Sequence, residues 1–150
     1  MNLDRRQVLA LGVGAAVMTA IGLPGVAVAA VGDVEKAIAE FTKGAEITTG
    51  KVVLSAPQIA ENGNTVPIEV TVESEMTQAS YVDAVMILAA GNPNPGVATF
   101  KFSPMSGEAL ASTRIRLAKT QDIIVIARMN DGSCYKDQKT VKVTIGGCGG

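Results

Sequence analysis

The sequence VPIEVTV at residues 66–72 carries an aliphatic side chain at every second position. Because successive side chains of a β-strand point to opposite faces, this spacing predicts a strand with one face in a core and the other in solvent. The side chains predicted to point inward are those of Val66, Ile68, Val70 and Val72.

Short apolar or alternating runs flank this strand on both sides, with turn sequences rich in Gly, Pro, Asn and Asp between them. The pattern predicts about seven or eight strands, a number and spacing typical of an all-β fold. We therefore predict an immunoglobulin-like antiparallel β-sandwich. The other predicted strands cover residues 52–54, 81–90, 97–103, 112–117, 122–129, 134–135 and 140–145, and the predicted turns cover 61–64, 92–96, 104–107 and 130–132.

A short helix is predicted in front of the strands, at residues 31–44. Asp33 is suited to cap its N-terminus and Gly44 to cap its C-terminus. Its apolar residues recur at helical spacing and form one stripe, which packs either on the domain's own body or on a partner chain. The stripe consists of Val34, Ala37, Ile38 and Phe41.

The N-terminus has the features of a twin-arginine export signal. Arg5 and Arg6 are followed by one polar and two apolar residues, and an apolar stretch interrupted by glycines and a proline comes next. The sequence AVA at residues 27–29 is typical of a cleavage site, so we expect cleavage after Ala29 and a periplasmic location. The alternative is an uncleaved membrane anchor, which the glycines, the proline and the cleavage motif disfavour.

The chain of 150 residues is therefore expected to have three parts. These are a signal peptide at residues 1–29, one β-sandwich domain at 30–145 and a short C-terminal arm at 146–150. The absence of histidine excludes catalytic triads and metal sites that depend on histidine. With no tryptophan and a net charge of −1, neither base-stacking platforms nor a basic field for nucleic acid is expected. We expect no cofactor and no metal.

The chain ends in GGCGG, residues 146–150. Glycine lacks a side chain to pack and has wide backbone freedom, so the sequence predicts a thin mobile arm that presents one thiol. No basic side chain or helix N-terminus adjoins Cys148, and the terminal carboxylate favours its neutral form. We therefore predict a non-catalytic carrier whose thiol is activated by partner enzymes. The glycines of the arm are Gly146, Gly147, Gly149 and Gly150.

The second cysteine, Cys134, leaves alternatives open. Exported chains with two cysteines often pair them, so a disulfide between Cys134 and Cys148 is one possibility. Cys134 could instead be a buried strand residue or bond to another subunit. The glycine tail could also be a simple frayed terminus, although an idle free thiol is a liability in an oxidising compartment.

Taken together, the terminal GGCGG, the twin-arginine leader and the all-β body resemble the SoxY family, the sulfur carriers of the periplasmic thiosulfate-oxidising Sox system. Three segments of the body resemble that family as well. They are ENG at residues 61–63 with the following Val66-Pro67, NPNP at 92–95 and LAKTQD at 117–122.

The resemblance implies a SoxYZ heterodimer with SoxZ, a second β-sandwich subunit, and covalent attachment of substrate to Cys148. It implies that the c-type cytochrome SoxAX joins thiosulfate to this cysteine as an S-thiosulfonate. The dimanganese hydrolase SoxB would then release sulfate, and a sulfane dehydrogenase would oxidise the remaining persulfide. Cys134 departs from the family pattern, in which a single cysteine is expected.

Two other classes of protein compete with the carrier. One is an exported immunoglobulin-like structural module that dimerises through Cys148. The other is a ubiquitin-like donor whose C-terminal Gly150 becomes a thiocarboxylate. The expected export and the missing ubiquitin-like α/β pattern disfavour the second.

Overall fold

The computed structural model describes residues 26–147, with side chains from residue 32 onward. Within residues 26–147 the chain forms one helix, nine strands and a short 3₁₀ turn at Pro104–Ser106. The helix is α1 (Val26–Thr42), and the strands are β1 (Ile47–Thr49), β2 (Val52–Ser55), β3 (Ile59–Asn62), β4 (Val66–Val72), β5 (Val82–Ala89), β6 (Gly96–Lys101), β7 (Ala109–Ile115), β8 (Gln121–Met129) and β9 (Cys134–Ile145).

The described strands form two sheets that face each other as a sandwich, as predicted. The smaller sheet has the order β2-β4-β7, and the larger has the order β1-β9-β8-β5-β6, with β3 also paired to β9. Most pairs are antiparallel, but β1 and β3 run parallel to β9, one along each half of it. These two parallel pairings are not indicated by the sequence.

The main core lies between the two sheets and is built from the inward-facing apolar side chains of strands with alternating sequences, such as β4. In β4 the predicted inward side chains are buried while Pro67 and Glu69 are exposed. β5 is buried along almost its whole length because its second face is also covered. The largest fully buried side chains include Leu54, Val66, Val70, Val85, Ile87, Leu117, Ile123, Val125 and Val141.

Helix α1 covers the outer face of the larger sheet. Its stripe, formed by Val34, Ala37, Ile38 and Phe41, packs on a second apolar cluster that includes Leu88 and Ile126. The stripe therefore packs on the domain's own body, which is the first of the two predicted alternatives.

Arg128 of β8 fixes the C-terminal end of α1. Its Nη1 donates to the Phe41 carbonyl oxygen at 2.9 Å and its Nε donates to the Asp83 carboxylate at 3.0 Å. The guanidinium also lies over the Phe41 ring, 4.9 Å from the centroid. Because the last carbonyls of a helix lack helical partners, this contact satisfies one of them and ties the helix to the sheet.

Some local predictions differ from the structure. Strands β1 and β3 are not predicted by the sequence, and Glu61 and Asn62 of the predicted turn belong to β3. Helix α1 begins at Val26, so Asp33 lies inside the helix and is not its N-cap; the alanine-rich residues 27–30 favour helix and extend it toward the N-terminus. The two strands predicted at 134–135 and 140–145 are one continuous strand, because the polar residues between them also pair with β8. Gly44, at φ 79°, marks the end of the helix as predicted.

We predict that truncation of the core is far more costly than truncation of the adjacent surface position. Leu54 of β2 is 0 % exposed, whereas its neighbour Val53 is 61 % exposed. Leu54→Ala should lower the free energy of unfolding by ~2–5 kcal/mol, since it leaves a cavity. Val53→Ala is the matched control and should cost less than about 1 kcal/mol. Urea denaturation of both variants measures the difference, and equal losses would contradict the assigned faces.

Candidate functional site

One end of the sandwich gathers the last described residues and three loops, and we call it the arm end. β9 brings the chain there at Ile145, while β5 and β8 run antiparallel and place their connections at the same end. Backbone hydrogen bonds bring the β3–β4 turn into contact with this group. The three connections at the arm end cover residues 63–65, 90–95 and 116–120.

Backbone hydrogen bonds link the segment after β9 to two of these loops. The Gly63 N–H donates to the Ile145 carbonyl oxygen at 2.8 Å. The Leu117 N–H donates to the Gly63 carbonyl at 2.8 Å, and the Gly147 N–H donates to the Leu117 carbonyl at 2.9 Å. The C-terminal segment, the β3–β4 turn and the β7–β8 loop are therefore tied together through main-chain atoms alone.

The approach of these segments is too close for side chains. A Cβ atom on Gly63 would overlap the Leu117 carbonyl oxygen and lie 2.8 Å from the Gly147 nitrogen. A Cβ on Gly146 would overlap the Ala118 carbonyl oxygen, and one on Gly147 would lie 2.9 Å from the Gly63 oxygen. Real Cβ atoms do not approach other atoms this closely, so glycine is required here for packing as well as for backbone freedom. We call Gly63, Leu117, Gly146 and Gly147 the glycine clamp.

Asn92 supports the clamp from the β5–β6 loop. Its side chain is 3 % exposed. Its Nδ2 donates to the Arg116 carbonyl at 2.8 Å, and its Oδ1 accepts from the Ala118 N–H at 2.9 Å. The Gln121 Nε2 also donates to this Oδ1, at 2.8 Å. Because these bonds bracket Leu117, they fix the carbonyl that accepts from Gly147.

The predicted arm residues divide into two groups in the structure. Cys148, Gly149 and Gly150 lie outside the described residues, so their place in an arm stays a prediction. Gly146 and Gly147 belong to the folded body and are packed in the clamp, with Gly147 buried. Gly146 is exposed and Gly147 is buried, so the point at which a mobile arm begins stays a prediction. Glycine is needed at these positions because the backbones approach each other closely. The sequence alone does not distinguish a glycine required for close approach from one required for backbone freedom.

Cys134 is a buried strand residue. It is 1 % exposed at the start of β9 and packs under α1 with Leu88 and Ile126. Its Sγ–H donates to the Gly132 carbonyl at 3.5 Å. Burial raises the pKa of the Cys134 thiol, an effect that the nearby Arg128 charge opposes. The thiol is thus neutral and shielded from solvent. It is suited neither to a bond with another subunit nor to reaction with small molecules.

The fold also separates Cys134 from Cys148. β9 is 12 residues long, and at ~3.3 Å per residue its two ends lie about 36 Å apart. Gly147 is held at the far end of β9, and Cys148 follows it directly at a Cα–Cα distance of about 3.8 Å. A disulfide needs Cα atoms within about 7 Å. The geometry therefore excludes a Cys134–Cys148 disulfide within one chain.

Neither a metal centre nor a membrane span is found in the described part of the chain. Among residues 32–147, no three or more acidic or cysteine side chains are close enough together to hold a metal ion. No helix within the described range is long and apolar enough to cross a bilayer.

Comparison with known proteins identifies the family. A family model for the sulfur oxidation protein SoxY matches residues 38–148, so its last matched position is Cys148. The chain belongs to the SoxY family. No match was found among curated proteins. The three body segments that resemble the SoxY family, at 61–63, 92–95 and 117–122, are the segments that meet at the arm end.

Solved structures agree with this membership. The SoxY sulfur carrier from Chlorobium limicola f thiosulfatophilum is 30 % identical, with a TM-score of 0.64, and the match covers 76 % of this chain and 98 % of that one. A superoxide reductase (neelaredoxin) from Ignicoccus hospitalis is 20 % identical, with a TM-score of 0.56 and coverage of 63 % and 81 %. A putative superoxide reductase from Thermotoga maritima is also 20 % identical, with a TM-score of 0.53 and coverage of 69 % and 89 %. The likeness to the reductases concerns the fold alone.

Sequence reasoning missed the residues that hold the site. The sequence predicts only a turn at Gly63 and indicates no role for Asn92, Leu117 or Gln121. The available signal was the location of the body segments that resemble the SoxY family, since each contains one or more of these residues. Gly63 and Leu117 act through main-chain groups and Asn92 and Gln121 through side-chain amides, and all of these contacts join loops that are distant in sequence, so only the folded structure reveals them.

We predict that Cys134 is unreactive in the folded protein. In a Cys148→Ser variant, reaction of the remaining thiol with an aromatic disulfide reagent should be at least about 100-fold slower than in 8 M urea, because opening of the α1–sheet contact must precede it. Absorbance of the released thiolate measures the rate. Comparable rates in buffer and in urea would contradict the burial of Cys134.

Proposed function

We propose that the protein is a non-catalytic carrier in thiosulfate oxidation and that Cys148 is the point of covalent attachment. The observation that carries the proposal is the family match that extends through Cys148. The related sulfur carrier from Chlorobium supports it. The burial of Cys134 adds support, because Cys134 and Cys148 are the chain's only two thiols.

The chemistry assigned to Cys148 balances with an external oxidant. Joining the thiol to thiosulfate forms an S–S bond, gives an S-thiosulfonate and releases one proton and two electrons. A c-type cytochrome of the SoxAX kind would accept the electrons. Hydrolysis by a SoxB-like dimanganese enzyme then adds water across the terminal S–S bond, which releases sulfate and a proton and leaves a persulfide on Cys148. A sulfane dehydrogenase would oxidise the outer sulfur of this persulfide to a sulfonate, with three waters supplying the oxygen atoms and an external electron acceptor taking six electrons. Further hydrolysis would release that sulfonate as sulfate and regenerate the thiol.

The surroundings of Cys148 along the chain favour a passive role. The clamp that precedes it consists of main-chain groups whose hydrogen bonds are already made to each other. None of these groups can take the thiol proton, so a partner enzyme must activate the thiol. We propose a SoxZ-like β-sandwich subunit as the stable partner and the Sox enzymes as transient ones.

The decisive variant is Cys148→Ser, which removes the proposed attachment atom. With the partner enzymes supplied, thiosulfate-dependent electron transfer should fall at least about 100-fold, because no S-thiosulfonate can form. Cys134→Ala is the matched control and should retain activity, since Cys134 is buried far from the arm end.

Mass spectrometry of the native C-terminal peptide distinguishes a sulfur carrier from a structural module that dimerises through Cys148. Adducts of sulfur or thiosulfate mass on Cys148 are expected for a carrier. A peptide–peptide disulfide alone, together with full activity of Cys148→Ser, would instead support an immunoglobulin-like module that dimerises through this cysteine.

We also propose that the protein acts in the periplasm after twin-arginine export. The paired Arg5 and Arg6 and the AVA sequence at 27–29 support this. Replacing both arginines, as Arg5→Lys with Arg6→Lys, should abolish accumulation in the periplasmic fraction, because the translocase reads the arginine pair. Lys36→Arg is the matched surface control and should leave the periplasmic level unchanged. An unchanged periplasmic level of the variant that carries both Arg5→Lys and Arg6→Lys would refute this route.

A further inference from the structure

We propose that helix α1 is a hinged lid on the outer face of the larger sheet, and that Arg128 is the latch that holds it closed. The lid opens as one unit while the sandwich of two sheets stays folded. Arg128 and its partner Asp83 are positioning residues for the helix. This motion belongs to the fold and does not depend on the proposed carrier function.

Helix α1 forms a layer of its own. Its stripe packs on the second apolar cluster, whereas no described residue of α1 belongs to the main core between the two sheets. Separation of α1 from the sheet therefore breaks one layer of contacts and leaves the main core intact. Elements that can separate in this way open locally, at a lower free energy than global unfolding.

The apolar contact beneath the lid is incomplete. Val34 is 8 % exposed, and the other residues of the stripe are only partly buried. A groove of about 270 Å³ runs beside Ala37, and its lining includes Leu88 of β5 and Val97 of β6. Helices gain most of their stability from packing, so α1 with its modest packing is held less firmly than the paired strands.

Arg128 makes the polar contact that holds the lid closed. Its bond to the Phe41 carbonyl is the only hydrogen bond between α1 and a strand within residues 32–147. Its Nε and Nη2 both donate to the Asp83 carboxylate, which orients the guanidinium. The same guanidinium lies over the Phe41 ring. One side chain thus makes both contacts that fix the end of the helix.

The latch is open to water. The side chain of Arg128 is 22 % exposed and that of Asp83 is 41 % exposed. A cavity of about 520 Å³ adjoins both residues and reaches Thr42, the last residue of α1. Water competes for exposed ion pairs, which contribute little to stability. The latch is therefore a contact that positions the helix and is released at low cost.

The hinge lies directly after the helix. Lys43 and Gly44 have positive φ angles, 54° and 79°, and belong to the link between α1 and β1. Because β1 pairs with β9 and stays with the sheet, rotation of the lid takes place in this link. Phe41 lies two residues before Lys43, so Arg128 acts beside the hinge and sets the angle at which the helix leaves it.

Opening of the lid exposes the apolar cluster beneath it. Leu88 and Ile126 are 0 % exposed and Cys134 is 1 % exposed while the lid is closed. Exposure of apolar surface to water is unfavourable, so the open form is a minor state. Cys134 takes no part in the latch, and its thiol is covered until the lid opens. It therefore serves as a reporter of the open form.

The first test needs no variant. Backbone amides of α1 at residues 36–41 should be protected from deuterium exchange at least about tenfold less than those of β8 at residues 123–127, because opening of the lid precedes global unfolding. Hydrogen-exchange mass spectrometry measures both segments. Equal protection of the two segments would mean that only global unfolding releases α1, and would overturn the lid.

The second test removes the latch. In a Cys148→Ser background, Arg128→Met should speed the reaction of Cys134 with an aromatic disulfide reagent at least about fivefold, because the lid opens more often. Burial raises the pKa of the Cys134 thiol and the Arg128 charge opposes this effect, so loss of the charge alone would slow the reaction. An acceleration therefore reports opening. Arg114→Met is the matched control, since Arg114 is exposed on β7 of the smaller sheet, and should leave the rate unchanged.

Two results would contradict the latch. One is a Cys134 reaction rate that does not rise in Arg128→Met. The other is an equal loss of amide protection at 36–41 and 123–127 in that variant, which would show global destabilisation. Circular dichroism checks folding. If Arg128→Met does not fold, Asp83→Asn replaces it, because it weakens the orientation of Arg128 and should raise the Cys134 rate at least about twofold. None of these measurements involves thiosulfate or a partner enzyme.

Discussion

The hydrogen bond from the Gly147 N–H to the Leu117 carbonyl is the contact on which the arm end of the molecule depends. It forms only because Gly63 lacks a side chain and admits both partners. The sandwich supplies what this bond needs: β9 delivers the C-terminus to the arm end, and β8 begins at that same end. The sheet and the loops beside it thus hold Gly147, the residue that precedes Cys148 in the sequence.

Three loops that are distant in sequence serve one purpose at the arm end. Gly63 comes from the β3–β4 turn, Asn92 from the β5–β6 loop and Leu117 from the β7–β8 loop. These are the loops whose sequences resemble the SoxY family. The first and the last of these loops bond to the residues before Cys148 directly, and Asn92 acts on them through the backbone around Leu117.

The two cysteines have different physical roles, and β9 keeps them apart. Cys134 at its start is covered by α1, where burial keeps the thiol neutral. Cys148 follows its other end. The strand separates them by more than a disulfide allows, so the buried thiol of Cys134 cannot pair with Cys148 of its own chain. The second cysteine is therefore compatible with a carrier, although it departs from the expected pattern.

By itself, the sequence determined the fold class and the family, because strand periodicity, turn residues and the terminal GGCGG are local patterns. It also placed the helix stripe, since residues at 34, 37, 38 and 41 share one face. Only the tertiary structure decided that Gly146 and Gly147 are packed, that Cys134 is buried, and that β1 and β3 pair with β9. These depend on contacts between distant segments, and a glycine required for close approach has the same sequence signature as a glycine required for freedom.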